Sequence, residues 1–200
     1  MKNSFYLFLL ILGFTEPLSS QSINESLVKK HIYTLANDSM QGRKAGTEGI
    51  EKAAKYIEGQ FKKIGLKYFN NNSFRQAFNY KNKRSRNQEE LKLFNIIGFL
   101  EGNEKKDEIV VISAHYDHLG MKSTGSGDLI FNGANDNATG VAAVLTLAEH
   151  FKSKNNNSRS ILFIAFTAEA MGLIGYNYFG KSISAESFVA DIKIEMIGKE

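Results

Sequence analysis

The chain has 200 residues, 42% hydrophobic and 23% charged, with a formal net charge of +4. That balance excludes a collagen-like, disordered or multi-pass membrane protein, and the mild basicity falls far short of a nucleic-acid binder. There is no cysteine, which excludes a disulfide scaffold, a thiolate metal site and a cysteine nucleophile, and leaves any metal to His, Asp and Glu.

Lys2 precedes an apolar run from Phe5 to Phe14, with Ser19 and Ser20 close behind. A basic head, a short apolar stretch and a small-residue exit describe a secretory signal peptide. The run is shorter than the ~20 apolar residues of a spanning helix. Residues 1–20 are therefore expected to be a cleaved signal peptide and 21–200 one domain. The protein is expected to be exported, periplasmic or secreted, with no stable membrane span after cleavage.

Residues 23–36 carry a helical pattern, with Ile23, Leu27, Val28, Ile32 and Leu35 on one face. A polar, glycine-containing turn follows from Asn37 to Gly46. Ile50, Ala53, Ala54, Ile57, Phe61 and Ile64 then recur at spacings of three and four, and Gly65 stops that helix. Residues 70–90 read as strand fragments and loop. The basic run Lys81 to Arg86 reads as a solvated hairpin turn rather than a polyanion site, because no aromatic interleaving supports binding.

Leu91 to Leu100 predicts a strand. Glu108 to Ala114 contains Ile-Val-Val-Ile, the continuous apolar run of a strand buried on both faces. Asn137 to Lys152 is a helix with Val141, Val144, Leu145, Ala148 and Phe151 inward. Ile161 to Phe166 is a second buried strand, Met171 to Phe179 a helix, and Val189 to Ile197 a last strand. The alternation implies an α/β fold: a mostly parallel, mixed sheet with helices on both faces.

Open α/β sheets bind ligands beyond the carboxyl ends of their strands. His115 and Asp117 follow one strand, and Glu169 follows another. Asp136 precedes a helix, and Glu195 lies near the end of the last strand. Singly, each also reads as an ordinary loop or capping residue. Together, one imidazole and several carboxylates suit a divalent metal, zinc first.

Three blocks carry a resemblance: VVISAHYDHLG, NGANDNATGVAA and ILFIAFTAEAMGLIG, preceded by LANDSMQGRKAGTEGIEKAAKYI. They resemble the signature blocks of the M28 zinc peptidases, aminopeptidases with paired zinc ions and a phosphorylase/hydrolase-like fold. The resemblance runs from about Ile23 to the chain end. It implies that His115 binds the first metal and that Asp117 fixes the far nitrogen of His115. It makes Asp136 the bridging carboxylate and Glu169 the general base toward metal-bound water. Glu195 stands where the family has an Asp ligand. Substrates would be peptides or proteins with a free amino terminus.

The sequence also departs from that pattern. The family places two glutamates after the second strand, and here the pair is Glu169-Ala170. The family's last ligand is a late histidine, and no histidine follows His150. The reading is thus a peptidase domain truncated at its carboxyl end, with one zinc site (His115, Asp136, Glu195) and an incomplete second one. Two alternatives stand beside it. One is a degenerate, non-catalytic binding module on the same fold. The other, less favoured, is a single-zinc glutaminyl cyclase, two of whose three ligands are missing here.

Overall fold

Helix periodicity and glycine stops translate directly into three-dimensional elements in the computed structural model, which describes residues 23–69, 72–82 and 89–198. The first helix, α1 (Glu25–Leu35), is capped by Asn24, whose side chain accepts the Leu27 N–H. The second, α2 (Glu48–Ile64), buries Ile50, Ala53, Ala54, Ile57 and Phe61 and ends at Gly65, which is left-handed at φ 81°. Glycine adopts that conformation without the Cβ penalty of other residues. The third, α3 (Thr139–Lys154), stops at Asn155, also left-handed. The fourth, α4 (Ile174–Ser182), starts three residues later than the sequence predicts. The displaced residues form a turn in which Gly172 and Leu173 donate to the Glu169 carbonyl.

The strands are β1 (Lys67–Tyr68), β2 (Arg75–Lys81), β3 (Glu90–Leu100), β4 (Lys105–His115), β5 (Gly120–Met121), β6 (Ile130–Phe131), β7 (Arg159–Phe166) and β8 (Phe188–Lys193). The main sheet runs β1-β3-β7-β4-β8, with β2 also on β3, while β5 and β6 form a separate ribbon. Strands β7, β4 and β8 are parallel, whereas β3 is antiparallel to β7 and to β1 and β2. The sheet is therefore mixed, with its parallel part at the β8 side. Its direction changes because β3 and β4 are joined by residues 101–104 alone. A parallel connection needs a crossover of a dozen residues or more.

Helices lie on both faces. Those from α1 to α3 pack with Ile96, Ile112, Ala114, Phe163 and Ala165 in one core. On the other face, Phe179 of α4 packs with Ile97, Val111, Leu162, Ile164 and Phe166. Residues of β7 from Ser160 onward are buried throughout, as expected of a strand covered on both sides. Bidentate pairing of Arg75 with Glu51 ties β2 to α2, and Glu58 holds the same guanidinium at 2.7 and 2.9 Å.

Some sequence expectations lie outside the described residues: the whole of 1–20, and 83–86 of the basic run. The strands flanking that run do pair as a hairpin, with Lys81 opposite Glu90. No helix among the described residues is long and apolar enough to cross a membrane.

Candidate active site

Each residue singled out at a strand end reaches the same end of the sheet. His115 closes β4 and is buried. Its Nδ1 lies 3.1 Å from the Asp117 main-chain carbonyl and 3.8 Å from Asp117 Oδ1. A carbonyl only accepts, so Nδ1 carries a hydrogen in this arrangement. The expected contact therefore comes from the backbone of Asp117 rather than from its carboxylate. That carboxylate is 1% exposed and does something else. Its Oδ1 accepts the Glu169 N–H at 2.9 Å, and Oδ2 accepts the Ala170 N–H at 3.3 Å.

The other nitrogen of His115, Nε2, faces Asp136 Oδ1 at 3.2 Å. With Nδ1 protonated, Nε2 and a carboxylate oxygen are two acceptors, and they need a proton or another cation between them. Accordingly His115 is pushed above its ordinary pKa. Burial works against this but is outweighed by the nearby negative charges of Asp117, Asp136 and Glu169. The second oxygen of Asp136 lies 3.5 Å from Nδ1 of His118, whose own pKa is lowered, mainly by burial.

Glu169 sits on the turn after β7. Ala168 before it is left-handed at φ 56°. Beneath the turn, Asn95 of β3 accepts the Thr167 N–H and donates to the Gly175 carbonyl. Glu169 Oε1 is bound by the Lys193 ammonium at 2.6 Å, while Oε2 is buried with no hydrogen-bond partner among the described residues. The same ammonium lies 2.7 Å from Glu195 Oε1. That hydrogen bond holds the Glu195 carboxyl below its usual range.

Glu195 lies two residues past β8, which is shorter than the predicted 189–197 strand. Beyond Lys193 the chain stays on β4 for one more residue, the Ile194 N–H donating to the Ser113 carbonyl, and is then held by the segment just before α3. Asn137 donates to the Ile194 carbonyl and accepts the Met196 N–H, and Asn135 accepts the Gly198 N–H. Met196 is left-handed at φ 49°.

Arg43 is the largest contribution missing from the sequence reading, which leaves it inside a polar turn. One tight helical turn from Asp38 breaks at a kink where Gln41, Gly42 and Arg43 all have positive φ. A Cβ on Gly42 would run into the Gly120 and Phe131 carbonyls, so that close approach requires glycine. Arg43 is 1% exposed. It donates to the carbonyls of Tyr116 (2.9 Å), Asn132 (2.6 Å), Gly133 (2.9 Å) and Leu35. Burial pulls its pKa down to about 10, against the charges of Asp117 and Asp136. Its arginine-glycine context within the leading block was the only sequence signal for it.

Whether these donors suit zinc can be tested by distance. Two ligands about 2.0–2.1 Å from a tetrahedral zinc lie about 3.3 Å apart. The His115–Asp136 separation of 3.2 Å matches such an edge. No third protein donor completes it: among the described residues, no group of three His, Asp or Glu side chains is gathered as metal ligands are. Glu195 is engaged with Lys193, and Ala170 has no donor atom. As arranged, the residues make half of a zinc site and do not fit a complete one.

The profile described as "Peptidase family M28" matches residues 95–200. The chain belongs to peptidase family M28. It is similar to aminopeptidase YwaD of Bacillus subtilis, 32% identical over 108 residues, which covers 52% of this chain and 22% of that protein. It is also similar to a probable zinc metalloprotease of Pyricularia oryzae, 31% identical over 92 residues, 46% of this chain and 18% of that protein. The matched region thus spans about a fifth of the length of these relatives.

Among solved structures, a Zn-dependent exopeptidase from Parabacteroides distasonis superposes with a TM-score of 0.69 at 19% identity, covering 90% of this chain and 64% of that one. A glutaminyl cyclase from Tannerella forsythia gives 0.68 at 19% identity, with the same coverage. The zinc aminopeptidase BSAP from Bacillus subtilis gives 0.68 at 16% identity, covering 88% and 70%. At these identities the likeness is one of fold. Peptidases and cyclases share it.

Proposed function

We propose that this chain serves in an aminopeptidase-type exopeptidase that hydrolyses peptides or proteins at a free amino terminus. The observation carrying this reading is the state of Glu169. One oxygen is anchored by Lys193, and the other is buried and unpartnered among the described residues. In a carboxylate so held, Oε2 is the one oxygen left to bond a reacting water, which reaches it only when that oxygen becomes exposed. In this reading Oε2 takes a proton as the water oxygen bonds to the scissile carbonyl carbon. It returns that proton to the amine nitrogen as the C–N bond breaks. Asp117 acts through the backbone: by accepting two N–H groups it fixes where Glu169 stands.

His115, Asp136 and Glu195 are the chain's proposed donors to one zinc ion; no second site is proposed. Because the third donor is not gathered with the first two, no step is assigned to the metal. Residues 1–20 are proposed to be a signal peptide and 21–200 the peptidase domain, of an exported protein. Amino-terminal sequencing of protein recovered outside the cytoplasm tests that: a start near residue 21 supports it, and an intact Met1 refutes it.

The activity is tested with aminoacyl-p-nitroanilides, with and without zinc or a chelator. Zinc-dependent release that is lost in Glu169→Gln supports the reading. Inactivity that ignores both zinc and chelator refutes it. That outcome would favour the second reading, a non-catalytic peptidase-fold binding module, to which the Lys193 clamp on Glu169 and Glu195 already lends weight. Release of ammonia from a peptide with amino-terminal glutamine would instead indicate a cyclase.

A further inference from the structure

Lys193 has no role in the hydrolytic reading beyond anchoring one oxygen, yet it occupies the centre of the carboxylate cluster. It closes β8, and its ammonium touches Glu169 at 2.6 Å and Glu195 at 2.7 Å. Its side chain is 28% exposed and that of Glu169 15%. The Tyr176 ring lies 5.8 Å from the same ammonium. Glu195 is more open, at 44%, but two carboxylates brought this close still repel one another unless a cation stands between them. Here the cation is part of the chain.

We infer that Lys193 is a built-in competitor for the metal: its ammonium occupies the Glu169–Glu195 side of the site, and a divalent ion gains Glu195 as a ligand only when Lys193 withdraws. The reason is electrostatic. An ammonium and a divalent ion on one carboxylate lie only a few ångströms apart and repel each other. The His115–Asp136 edge is already at metal-binding separation, so the missing donor is the one Lys193 holds. This inference rests on the reading of His115, Asp136 and Glu195 as donors, and the experiment separates the two.

Zinc alone is titrated calorimetrically into the whole chain, stripped of metal, and into Lys193→Gln, Lys193→Met and His115→Ala. The inference expects zinc to bind the two Lys193 variants at least about tenfold more tightly than the parent. It is overturned if they bind no more tightly while His115→Ala loses zinc, an outcome that leaves the ligand reading standing. Zinc binding that survives His115→Ala unchanged overturns the ligand reading and the inference with it. A second measurement needs no variant. Amine acylation of the unaltered chain, read by mass spectrometry, should label Lys193 several-fold faster when zinc is added. Unchanged labelling at saturating zinc overturns the inference.

Discussion

The carboxylate of Asp117 is bonded to the backbone of Glu169, 52 residues away, rather than to the imidazole of His115 two residues before it. Two N–H groups, of Glu169 and Ala170, converge on its two oxygens. Asparagine at this position would offer one acceptor and turn its NH2 against the other N–H. Asp117→Asn should therefore lose about 1–3 kcal/mol of stability, the cost of an unsatisfied buried donor. It should also lower any hydrolytic activity by misplacing Glu169. Urea unfolding measures the first, and nitroanilide turnover the second. Unchanged stability would mean that the turn is held by other contacts.

Arg43 predicts a larger effect. Its guanidinium serves four carbonyls in a fully buried position. In Arg43→Met the carbonyls lose their donors, and the expected loss is at least about 3 kcal/mol. Lysine keeps the charge but not the planar fork. Arg43→Lys should recover less than half of that loss in urea unfolding. Full recovery would show that charge, and not geometry, is what the position requires.

His31 predicts a pH dependence. It is buried in α1, with Nδ1 2.7 Å from the Tyr56 hydroxyl. Burial, with the charges of Lys30 and Lys63, lowers its pKa to about 4. The unfolded chain, with an ordinary histidine, binds the proton near pH 6.5, where the folded protein does not. The stabilising contribution is thus fully present above about pH 6.5 and is lost as pH falls toward 4. At ~1.4 kcal/mol per pH unit the full linkage between pH 6.5 and 4 is about 3.4 kcal/mol, which partial solvation reduces to an effect of order 2 kcal/mol. Chemical denaturation between pH 7 and 4 should show this slope, and His31→Phe should flatten it.

Strand β8 predicts behaviour in solution. Among the described residues it pairs only with β4, and Val189 and Ile192 are each about half exposed. An open strand edge with apolar side chains invites pairing with another chain. Val189→Lys should reduce concentration-dependent association in light scattering, with the zinc titration unchanged. Equal scattering for both proteins would exclude β8 as the contact.

Much of this was legible in the sequence because it rests on local patterns. The α2 face from Ile50 to Phe61 follows from spacing, and its end follows from Gly65. His115, Asp117, Asp136 and Glu169 could be picked out because each lies next to a strand or helix boundary. What was not legible depends on pairs distant in sequence. Arg43 meets Tyr116 across 73 residues, and Asn137 meets Ile194 across 57. Lys193 reads as one more polar residue until the sheet brings Glu169 beside it. Glu195 likewise looks like a free ligand in the sequence, and only the side-chain geometry reveals its partner.

The chain has no cysteine, yet its loops around the site are cross-linked. One guanidinium fastens the end of α1, the segment between His115 and Asp117, and the approach to Asp136 to a single point at residue 43. A disulfide would join two segments and would depend on an oxidant. This fastening joins four and needs none, so the loops assume the same arrangement in a reducing compartment as in an oxidising one.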